Sequence, residues 1–587
     1  MNALVPARVR HLSRFREIAT ILARHGLGWV VAQLGLGDLV PFQRGWFGHP
    51  PRETPYTQAE HFRMAFEDLG VTFIKFGQIL STRADLLPAA YIAEFSKLQD
   101  AAPPVPYDAV ARVIQDELGA PPEEIFAEFE HAPRASASIG QAHAARLNAD
   151  RRGARVIVKI QRPHVEALVE RDLEVLADLA HFAARRAQWI EAYDPVSLVE
   201  EFAYTLRNEL DYTREGQNAD RIRRNFADDA AIYVPKVDWE FTTPRVLTME
   251  EIGGVKINDL AALDAAGLDR HRVAENSVRI MLTEVFEHGF FHADPHPGNF
   301  FVIGEDAARA ARQTRGEKTL ASGDSVGAVI GLMDFGLVGR LDDELRDAIL
   351  RMAIHLVRRD TERLVDEMIT LGIAHGPAGA VNRQGLKRDL DHFIGNYYDR
   401  PIKELAAGQV LDDVMRVALR HHLQFPSDLM LLFKVIGMSE GLGIQLDPEF
   451  KLLEFAEPFF QKFWLESRSP RALAGKLAQG ALDMLDLAPD LPHRATRLMG
   501  ELERGEIEII IKHQGLDEAL RELERVANRV TMGVITAALI LGLAFVMSYY
   551  HPPGWGVVGV FVFTATFLVA VLFAARLLWI VWRTGRR

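Results

Sequence analysis

The spacing between hydrophobic residues changes several times along the chain, and each spacing predicts a type of secondary structure. Between residues 73 and 80 the apolar side chains recur every three or four positions, which predicts a helix. Residues 155–160 are a β-branched run, R-V-I-V-K-I, and 328–333 are another short apolar run, so both predict strands. Helical periodicity returns from residue 342 to about residue 530. These patterns predict an α+β protein whose N-terminal and C-terminal parts are helical.

The last part of the chain carries two long apolar runs. Residues 532–550 are 19 residues without a charge. As a helix they would span roughly 28 Å, close to a bilayer core of about 30 Å. In the second run, 557–582, the single charge of Arg576 is near enough to the end to reach the interface. Basic residues lie outside both runs and none lies in the turn, which predicts a transmembrane hairpin with both ends in the cytoplasm. The alternative is a buried hairpin of a soluble domain.

An arginine-rich amphipathic stretch occupies part of the first 50 residues. Its apolar side chains share one helical face and its arginines surround that face: Leu12, Phe15, Ala19 and Leu22 with Arg10, Arg14, Arg16 and Arg24. The arginines interrupt the stretch too often for a secretory signal peptide. Such a helix either lies on anionic lipid or covers a domain, and the sequence leaves both interpretations open.

Length, charge and cysteine content narrow the class of protein. A chain of 587 residues exceeds one compact core, so two or more structural units are expected. Its 80 acidic and 67 basic residues give a net charge of −13, which argues against a nucleic-acid partner. With no cysteine, the chain has no disulfide, no thiolate metal site and no cysteine nucleophile. The proline-rich segment 103–106 predicts a linker into a new domain.

The candidate chemistry is concentrated in residues 288–302, H-G-F-F-H-A-D-P-H-P-G-N-F-F-V. Asp294 and Asn299 have the spacing of a kinase-type catalytic loop, in which the Asp orients the attacking oxygen and the Asn binds a metal ion. His292 and His296 flank Asp294, so the same letters also suit a transition-metal cluster. A simple polar turn made by the two prolines is the third interpretation.

Two further segments favour the kinase-like interpretation. Asp334 begins the D-F-G that follows the 328–333 run, where a kinase-like fold places a second metal-binding Asp. Lys159 lies on the 155–160 strand, where that fold places the lysine that contacts the α and β phosphates. The loop before this strand has small residues where ordinary kinases have glycine: Ala135, Ser136, Ala137 and Ser138. Its amides should therefore approach phosphates in an unusual way, unless the loop is an ordinary hairpin.

A buried lysine needs a counter-charge, and a helix predicted over 200–217 offers candidates. They are three acids: Glu209, Asp211 and Glu215. Residues 245–254 form a strand that runs into acids and glycines, as is typical of the hinge whose backbone binds adenine between two lobes. Glu250 and Ile252 are the candidate contacts there.

These segments accompany a K-x-G-Q element at Lys75, Gly77 and Gln78 and an E-x-D pair at Glu209 and Asp211. In this combination the chain resembles the UbiB family of atypical kinases, the aarF-domain-containing kinase group, from about residue 60 onward. The resemblance implies a two-lobed protein-kinase-like fold with an N-terminal helical extension and two C-terminal transmembrane helices. The expected domains are the extension at 1–105, an N-lobe at 106–255, a C-lobe with extra helices at 256–530 and the membrane hairpin at 531–583.

The resemblance also implies roles for individual residues, with ATP and Mg²⁺ as cofactors. The catalytic residues would be Lys159, its ion-pair partner Glu215, and Asp294, and the magnesium ligands would be Asn299 and Asp334. The nucleotide would contact Lys159, the loop residues Ala135 to Ser138, Glu250 and Ile252. Lys75 and Gln78 would regulate the site from the extension, with Lys75 reaching towards Glu209 and Asp211. We expect Lys75 to hold the site in an ATPase-like state that transfers little phosphate to acceptors.

The function implied by the resemblance is ATP hydrolysis, or phosphate transfer to a small non-protein acceptor, at the cytoplasmic face of the inner membrane in support of ubiquinone biosynthesis. Expected partners are membrane lipids, quinone precursors and quinone-biosynthesis proteins, and no nucleic acid. The A-P-E element of ordinary protein kinases does not follow Asp334, and the polar segment 307–325 predicts an exposed insertion. The alternatives are a kinase for a small molecule or a protein, and a nucleotide-gated scaffold without catalysis.

Overall fold

The computed structural model of the chain describes residues 12–33, 56–83, 86–98, 102–148, 153–186, 195–315, 327–371, 373–374, 382–398, 407–421 and 423–452, with isolated positions beyond them. The chain divides into two compact units, Met1–Leu473 and Ala474–Arg587. The elements and the site discussed below belong to the first unit. The membrane hairpin expected at 531–583 lies, apart from isolated positions, outside the described residues and stays a prediction.

Helices make up most of the described part. They are Leu12–Arg24 (α1), Gly28–Gln33 (α2), Gln58–Leu69 (α3), Val71–Ser81 (α4), Ala89–Phe95 (α5), Tyr107–Leu118 (α6), Pro122–Ile125 (α7), Val165–Arg186 (α8), Pro195–Glu209 (α9), Tyr212–Asn225 (α10), Leu260–Ala265 (α11), Arg270–Leu282 (α12), Glu305–Arg315 (α13), Asp343–Arg358 (α14), Thr361–Leu371 (α15), Arg383–Tyr398 (α16), Ala407–Arg420 (α17) and Ser427–Leu446 (α18). A short π-helical turn at Thr283–Glu287 follows α12, and 3₁₀ turns occur at Trp239–Phe241 and Pro297–Asn299.

The strands are Phe126–Phe129 (β1), Ala135–Ser136 (β2), Gly140–Leu147 (β3), Arg155–Gln161 (β4), Ile232–Tyr233 (β5), Val246–Glu250 (β6), Val255–Lys256 (β7), Phe290–His292 (β8), Phe300–Gly304 (β9), Ala328–Leu332 (β10), Val338–Arg340 (β11), Ile373–Ala374 (β12) and Leu423–Gln424 (β13). The predicted mixture of helix and strand is therefore confirmed. The β12–β13 pair, which joins two helical segments, was not predicted.

The first sheet fixes the orientation of Lys159. Its strands run in the order β1-β3-β4-β6, with β2 added beside β3, and all the pairings are antiparallel. In β4 the side chains of Val156, Val158 and Ile160 are buried in one apolar cluster with α6. Because side chains alternate between the two faces of a strand, Lys159 lies on the face opposite to α6.

The second sheet and a short strand pair bring two loops together. The sheet order is β5-β10-β9-β7, and β8 pairs with β11. The N–H of Met333 donates to the carbonyl of Asn299 at 2.9 Å, which fixes the end of β10 beside the start of β9. Asn299 immediately precedes β9 and Asp334 follows Met333 at the end of β10, so the catalytic loop and the D-F-G turn meet at one end of this sheet.

The helices α1 to α5 form a cluster with α8 and α9 that has its own apolar core. Phe15 and Leu22 of α1 are buried in it, so α1 covers a domain, as the second interpretation of the N-terminal stretch predicted. Leu12 departs from the predicted apolar face, since its side chain is 54% exposed. Arg14 is buried as well, and its Nε and Nη2 donate to the Asp172 carboxylate at 2.8 Å each.

Close packing explains the glycine of the K-x-G-Q element. A Cβ on Gly77 would lie 2.3 Å from Cδ1 of Leu98 and 2.8 Å from the ring of Phe66. Beside it, Nε2 of Gln78 donates to the carbonyl of Leu98 at 3.1 Å. Gly77 and Gln78 therefore fix α4 against the segment around Leu98, and this contact sets the position of Lys75 on the same helix.

The helix predicted over 200–217 is wrong in one respect, because it is broken in the middle. Helix α9 ends at Glu209 and α10 begins at Tyr212. Asp211 leaves the helical conformation, with φ −110° and ψ 95°, and its carboxylate accepts a hydrogen bond from the N–H of Thr213 at 3.0 Å. This is an N-cap, a position that Asp favours. The E-x-D pair consequently lies at a corner between two helices.

The insertion predicted over 307–325 does lie between β9 and β10, and most of its described residues are exposed, but its first half forms a helix. Residues 305–315 form α13, in which Ala308 is buried. Nη2 of Arg312 donates to the carbonyl of Asp229 at 3.1 Å, and Arg315 pairs with Glu250. Arginines thus fasten this helix to the sheet although its composition is polar. Residues 316–326 lie outside the described part.

One helix of the described part, α18, is long and apolar enough to cross a membrane by length and composition alone. Half of its most apolar window is buried inside the protein. Leu429, Leu432, Val435 and Leu442 belong to the same apolar core as α12 and β10. Within the described residues α18 is therefore packed as a core helix.

Candidate active site

The structure brings Lys159 to Glu215 and Asp334. Nζ of Lys159 donates to Oε1 and Oε2 of Glu215 at 3.0 and 2.8 Å and lies 3.5 Å from Oδ1 of Asp334. Glu215 is in the first turn of α10, which places its carboxylate beneath β4. Two carboxylates therefore share one ammonium group on the face of the first sheet opposite to α6.

Burial and charge act on the protonation of this trio. Although burial lowers the pKa of Lys159, the carboxylates of Asp334 and Glu215 raise it well above its usual value. Burial raises the pKa of Glu215 to about 7, against the pull of the Lys159 ammonium. The ammonium of Lys159 lowers the pKa of Asp334, and Lys75 contributes in the same direction. The half-exposed Asp334 carboxylate thus stays ionised.

The turn at Asp334 has an uncommon backbone conformation. Its φ is +60°, a left-handed value that only a few non-glycine residues adopt. Oδ1 of Asp334 accepts from the N–H of Gly336 at 3.3 Å, while Nδ2 of Asn218 on α10 donates to the carbonyl of Phe335 at 3.0 Å. Phe335 is fully buried. The D-F-G turn is therefore held from both sides, and the helix that carries Glu215 supplies one of these bonds.

The catalytic-loop residues also converge. Nδ2 of Asn299 donates to Oδ2 of Asp294 at 3.1 Å and to its carbonyl at 3.2 Å. His292 is buried, with its Nε2 donating to the carbonyl of Met333 at 3.1 Å and its Nδ1 accepting from the N–H of Asp294 at 3.2 Å. Both ring nitrogens of His292 thus hold the loop in place.

This use of the histidines does not fit the alternative of a transition-metal cluster. Nδ1 of His296 accepts from the N–H of Gly298 at 3.1 Å, so His296 caps the short 3₁₀ turn. Among the described residues, no group of three or more His, Asp and Glu side chains could hold a metal ion. The loop is instead a hydrogen-bonded turn that presents Asp294 and Asn299.

The extension reaches the site through Lys75. Its Nζ is hydrogen-bonded to Oε1 of Glu209, at the end of α9. Asp211, the other acid of the E-x-D pair, caps α10 and lies 3.7 Å from Nε of Arg214. The four regulatory residues predicted from the resemblance therefore fall into two pairs with different contacts. Lys75 and Glu209 form an ion pair that faces the site, whereas Gln78 and Asp211 fix the backbones of the helices.

The small-residue loop is closed by its own hydrogen bonds. The N–H of Ala137 donates to the carbonyl of Gly140 at 2.8 Å. Arg162 donates from Nε to the carbonyl of Ala137 at 2.8 Å and from Nη2 to Oγ of Ser136 at 3.0 Å. Ala135 is exposed and Ser138 is buried. The loop is thus a β2–β3 hairpin clamped by an arginine that follows β4.

The close approach of Gly140 to Tyr212 adds a constraint beneath this loop. A Cβ on Gly140 would lie 2.2 Å from the hydroxyl of Tyr212 and 2.7 Å from the carbonyl of Ile160. Tyr212 follows the E-x-D pair directly, and its ring lies 5.2 Å from Nζ of Lys159. The tyrosine therefore packs between the hairpin and the lysine, a contact that the sequence did not indicate.

The predicted hinge residues lie at the end of β6. The N–H of Glu250 donates to the carbonyl of Lys236 at 2.9 Å, and its carboxylate accepts from the hydroxyl of Tyr233 at 2.6 Å and pairs with Arg315. The side chain of Ile252 is buried in a small apolar cluster with Ile303. The side chains of Glu250 and Ile252 thus fix the connection between the two sheets, and a nucleotide contact there would use backbone atoms.

Sequence reasoning missed two ionisable residues near the catalytic loop. Nζ of Lys434, on α18, lies 3.7 Å from Oδ1 of Asp294. Oε2 of Glu284, on the turn after α12, accepts from the N–H of His292 at 3.2 Å. Each belongs to an otherwise apolar stretch, and an ionisable residue in such a stretch was the signal available in the sequence.

Glu284 is the more deeply buried of the two. Its Oε1 has no hydrogen-bond partner among the described residues, and the side chain lines a cavity of about 20 Å³ shared with His292 and Ser439. A cavity of this size holds one water molecule. Burial raises the pKa of Glu284 to about 8. The side chain is therefore mostly protonated at neutral pH.

Substituting Glu284→Gln should remove a pH dependence of stability. Between the ordinary pKa of 4.5 and about 8, the folded state keeps a proton that the unfolded state releases. The free energy of unfolding of the wild type therefore falls with rising pH, by up to about 1.4 kcal/mol per unit. Gln keeps the acceptor for the N–H of His292 but does not ionise, so chemical unfolding at pH 6 and pH 8 should show a smaller slope. The exposed Glu287→Gln is the matched control, and equal slopes for wild type and Glu284→Gln would contradict the expectation.

Models of three known domain families match segments of the chain. The ABC1 atypical kinase-like domain matches residues 97–368, which include Lys159, Glu215, Asp294, Asn299 and Asp334. The UbiB helical domain matches 390–451, and the ABC1/UbiB kinase-like C-terminal domain matches 514–583. The last match overlaps the two apolar runs that predict the membrane hairpin.

Relatives match over most of their length. The probable protein kinase UbiB of Pseudomonas aeruginosa is 35% identical over 495 residues, covering 84% of this chain and 86% of that protein. The probable protein kinase UbiB of Xanthomonas axonopodis pv. citri is 34% identical over 504 residues, covering 85% and 86%. The uncharacterized protein sll1770 of Synechocystis is 32% identical over 503 residues, covering 84% and 80%. The solved structure of an Rv3197–erythromycin complex from Mycobacterium tuberculosis is 22% identical, covering 66% of this chain and 92% of that one, with a TM-score of 0.44.

Proposed function

Because the chain belongs to the ABC1/UbiB family of atypical kinases, we propose that its site binds Mg-ATP and transfers the γ-phosphoryl group to water or to a small non-protein acceptor. The observation that carries this proposal is the convergence of Lys159, of Asp334 and of the turn that holds Asp294 and Asn299, from three separate segments of the chain. Phosphoryl transfer depends on placing such groups around the phosphates.

The side-chain oxygen atoms available at the site suit a magnesium ion. Mg²⁺ is typically held by one or two carboxylates together with substrate phosphates, and it neutralises charge on those phosphates when bound. Asp334 offers a half-exposed, ionised carboxylate. Nδ2 of Asn299 faces Asp294, so its amide oxygen is the atom that can serve as a ligand. Asp334 and Asn299 are therefore the residues that would hold the ion.

The remaining residues have separable roles. Lys159, held by Glu215, would contact the α and β phosphates. Asp294 would orient the attacking oxygen of water or of an acceptor hydroxyl and receive its proton. The β2–β3 hairpin, which contains Ala135 and Ser138, would lie over the phosphates. Glu250 and Ile252 would offer backbone atoms to the adenine.

A non-protein acceptor is supported by the extension. In ordinary protein kinases an A-P-E element anchors the segment that binds a peptide, and the sequence after Asp334 lacks it. Helix α4 instead lies beside the site, with Lys75 paired to Glu209. A folded helix at this position leaves less room for a peptide than for water or a small molecule.

The cellular role in the proposal is support of ubiquinone biosynthesis at the inner membrane. The apolar runs 532–550 and 557–582 would anchor the chain as a two-helix hairpin, with the kinase-like part in the cytoplasm. A nucleotide site tethered beside a bilayer can couple ATP turnover to the handling of lipid. Membrane lipids and quinone precursors are the proposed ligands, and quinone-biosynthesis proteins are the proposed partners.

The test is the fate of labelled γ-phosphate given to the full-length protein in anionic bilayers, in neutral bilayers and in detergent. We expect Mg²⁺-dependent release of free phosphate, stimulated by the anionic bilayer and abolished by chelation of Mg²⁺. Label that appears mainly on a lipid-soluble acceptor or on a protein would favour a kinase in place of an ATPase. Nucleotide binding without release or transfer under any condition would favour a non-catalytic scaffold and contradict the proposal.

Substituting Lys75→Ala should shift the fate of the label from free phosphate towards acceptors. Removing the ammonium leaves Glu209 unpaired and weakens the tie between α4 and the site. We expect the ratio of transferred to released phosphate to rise roughly fivefold, as an ion pair worth about 1 kcal/mol would allow. The measurement is the partition of label between free phosphate and the protein itself. Lys97→Ala, an exposed lysine of the same extension, is the control, and an unchanged partition together with unchanged nucleotide selectivity would contradict the hypothesis.

A further inference from the structure

Lys434 reaches the catalytic loop from outside the kinase-like match. It belongs to the segment that matches the UbiB helical domain, whereas Asp294 belongs to the ABC1 match. Nζ of Lys434 and Oδ1 of Asp294 are 3.7 Å apart, and the side chains are 29% and 39% exposed. An ion pair with this much exposure is accessible to a ligand that approaches the loop.

The backbone of Lys434 is fixed relative to the loop. Its neighbour Val435 is buried, and Val435 and Ser439 line the same cavity as His292 and Pro295. At the start of α18, Oδ1 of Asp428 accepts from the N–H of Arg340 at 3.2 Å, which ties the helix to β11. The helix is therefore packed directly on the catalytic loop and on the strand that pairs with β8.

The charges of the site give this lysine a specific place. Lys159 lies between Glu215 and Asp334, and Lys75 pairs with Glu209. Lys434 places a positive charge on the side of Asp294, where the attacking oxygen would be. A triphosphate that approaches Asp294 would be repelled by its carboxylate unless a cation lies beside it.

We propose that Lys434 is a catalytic residue that contacts the γ-phosphoryl group during transfer. This inference rests on the proposed ATP chemistry. In the reaction the acceptor oxygen forms a bond to the γ-phosphorus while the bond from that phosphorus to the bridging oxygen breaks. The electron pair leaves with ADP, and the proton of the acceptor passes to Asp294 and then to solvent. Negative charge is spread over the three equatorial oxygens in the transition state, and the Lys434 ammonium stabilises it there.

The test is Lys434→Met, compared with Lys434→Arg, in the full-length protein in anionic bilayers. We expect kcat for phosphate release to fall about 100-fold in Lys434→Met, the effect of removing one donor to a developing charge. Affinity for Mg-ADP should change less than about threefold, because ADP lacks the γ-phosphoryl group. Affinity for Mg-ADP-vanadate, an analogue of the transition state, should fall by the same factor as kcat. Lys434→Arg keeps the charge and should recover part of both.

The control is Lys451→Met, an exposed lysine shortly after α18, which should behave like the wild type. Melting temperatures of the variants should agree. An active wild type with unchanged kcat in Lys434→Met would overturn the role of Lys434 and leave the proposed function standing. Equal losses of affinity for Mg-ADP and Mg-ADP-vanadate would also overturn it, because they indicate a general binding defect. No phosphate release by the wild type would overturn the proposed function and this inference together.

Discussion

Substituting Asp334→Asn is expected to lower phosphate release from Mg-ATP by about 1,000-fold or more. The carboxylate is half exposed at the site and lies 3.5 Å from Nζ of Lys159. Asn has nearly the same shape but no charge for a magnesium ion or for the lysine. Asp334 has φ +60°, and Asn is one of the few residues that adopt this conformation, so the backbone of the turn should be preserved.

The measurement is the rate of phosphate release by the full-length protein in anionic bilayers, with melting temperature as the test of folding. Asp306→Asn makes the same change in charge on a fully exposed side chain of α13 and should retain the wild-type rate. Release by Asp334→Asn at more than about a tenth of the wild-type rate would contradict the role given to Asp334. Loss of release in both variants would indicate a general effect of charge.

Those contacts of the site that join residues close in sequence could be predicted, because short sequence motifs specify them. The spacing of Asp294 and Asn299 fixes both on one turn, and a hydrogen bond of 3.1 Å between their side chains follows. The apolar run before Asp334 predicts the strand that ends beside that turn. Alternation along β4 predicts which face carries Lys159. In each case the contact depends on residues close in sequence or on the regular geometry of a strand.

The part that could not be predicted depends on packing between distant segments. Whether α9 and α10 form one helix or two depends on one side chain, since the carboxylate of Asp211 replaces a backbone bond at the corner. The pairing of Lys434 with Asp294 depends on how α18 packs in the apolar core that it shares with α12 and β10. Composition also did not reveal that Arg312 and Arg315 hold the polar helix α13 against strands β5 and β6. A polar residue in a sequence does not reveal whether its partner is water or protein.

The extension is bonded to α9, and α9 is bonded in turn to the start of α18. Lys75 pairs with Glu209 near the first sheet. Nη1 of Arg83 lies 3.4 Å from Oε2 of Glu201, and Oε1 of the same glutamate accepts from the hydroxyl of Ser427 at the start of α18. The helix that carries Lys434 is thus connected through α9 to the segment that follows Lys75. Movement of the extension would affect both Lys75 and Lys434. The attachment of the extension to the rest of the fold is therefore important.

Substituting Arg14→Met is expected to lower the free energy of local unfolding of α1, and so to weaken that attachment, by about 3–5 kcal/mol. Arg14 is 6% exposed and Asp172 is fully buried, and the two are joined by paired hydrogen bonds of 2.8 Å. Nη2 of Arg14 also donates to the carbonyl of Leu69 at 2.8 Å, so one side chain links α1, α3 and α8. Met fills similar space but leaves the Asp172 carboxylate without its main partner. This role could not be predicted, because in the sequence Arg14 does not differ from its exposed neighbour Arg16.

The measurement is hydrogen exchange of the α1 amides in the full-length protein, because it reports local opening directly. If the free energy of local unfolding falls by at least 3 kcal/mol, the α1 amides should exchange about 100-fold faster or more. Arg16→Met, on the exposed face of the same helix, should leave exchange unchanged. The double variant Arg14→Met with Asp172→Leu removes both charges and should recover much of the loss, because a buried ion pair can be replaced by apolar side chains at little cost. Wild-type exchange in Arg14→Met would show that the apolar face of α1 alone holds the extension.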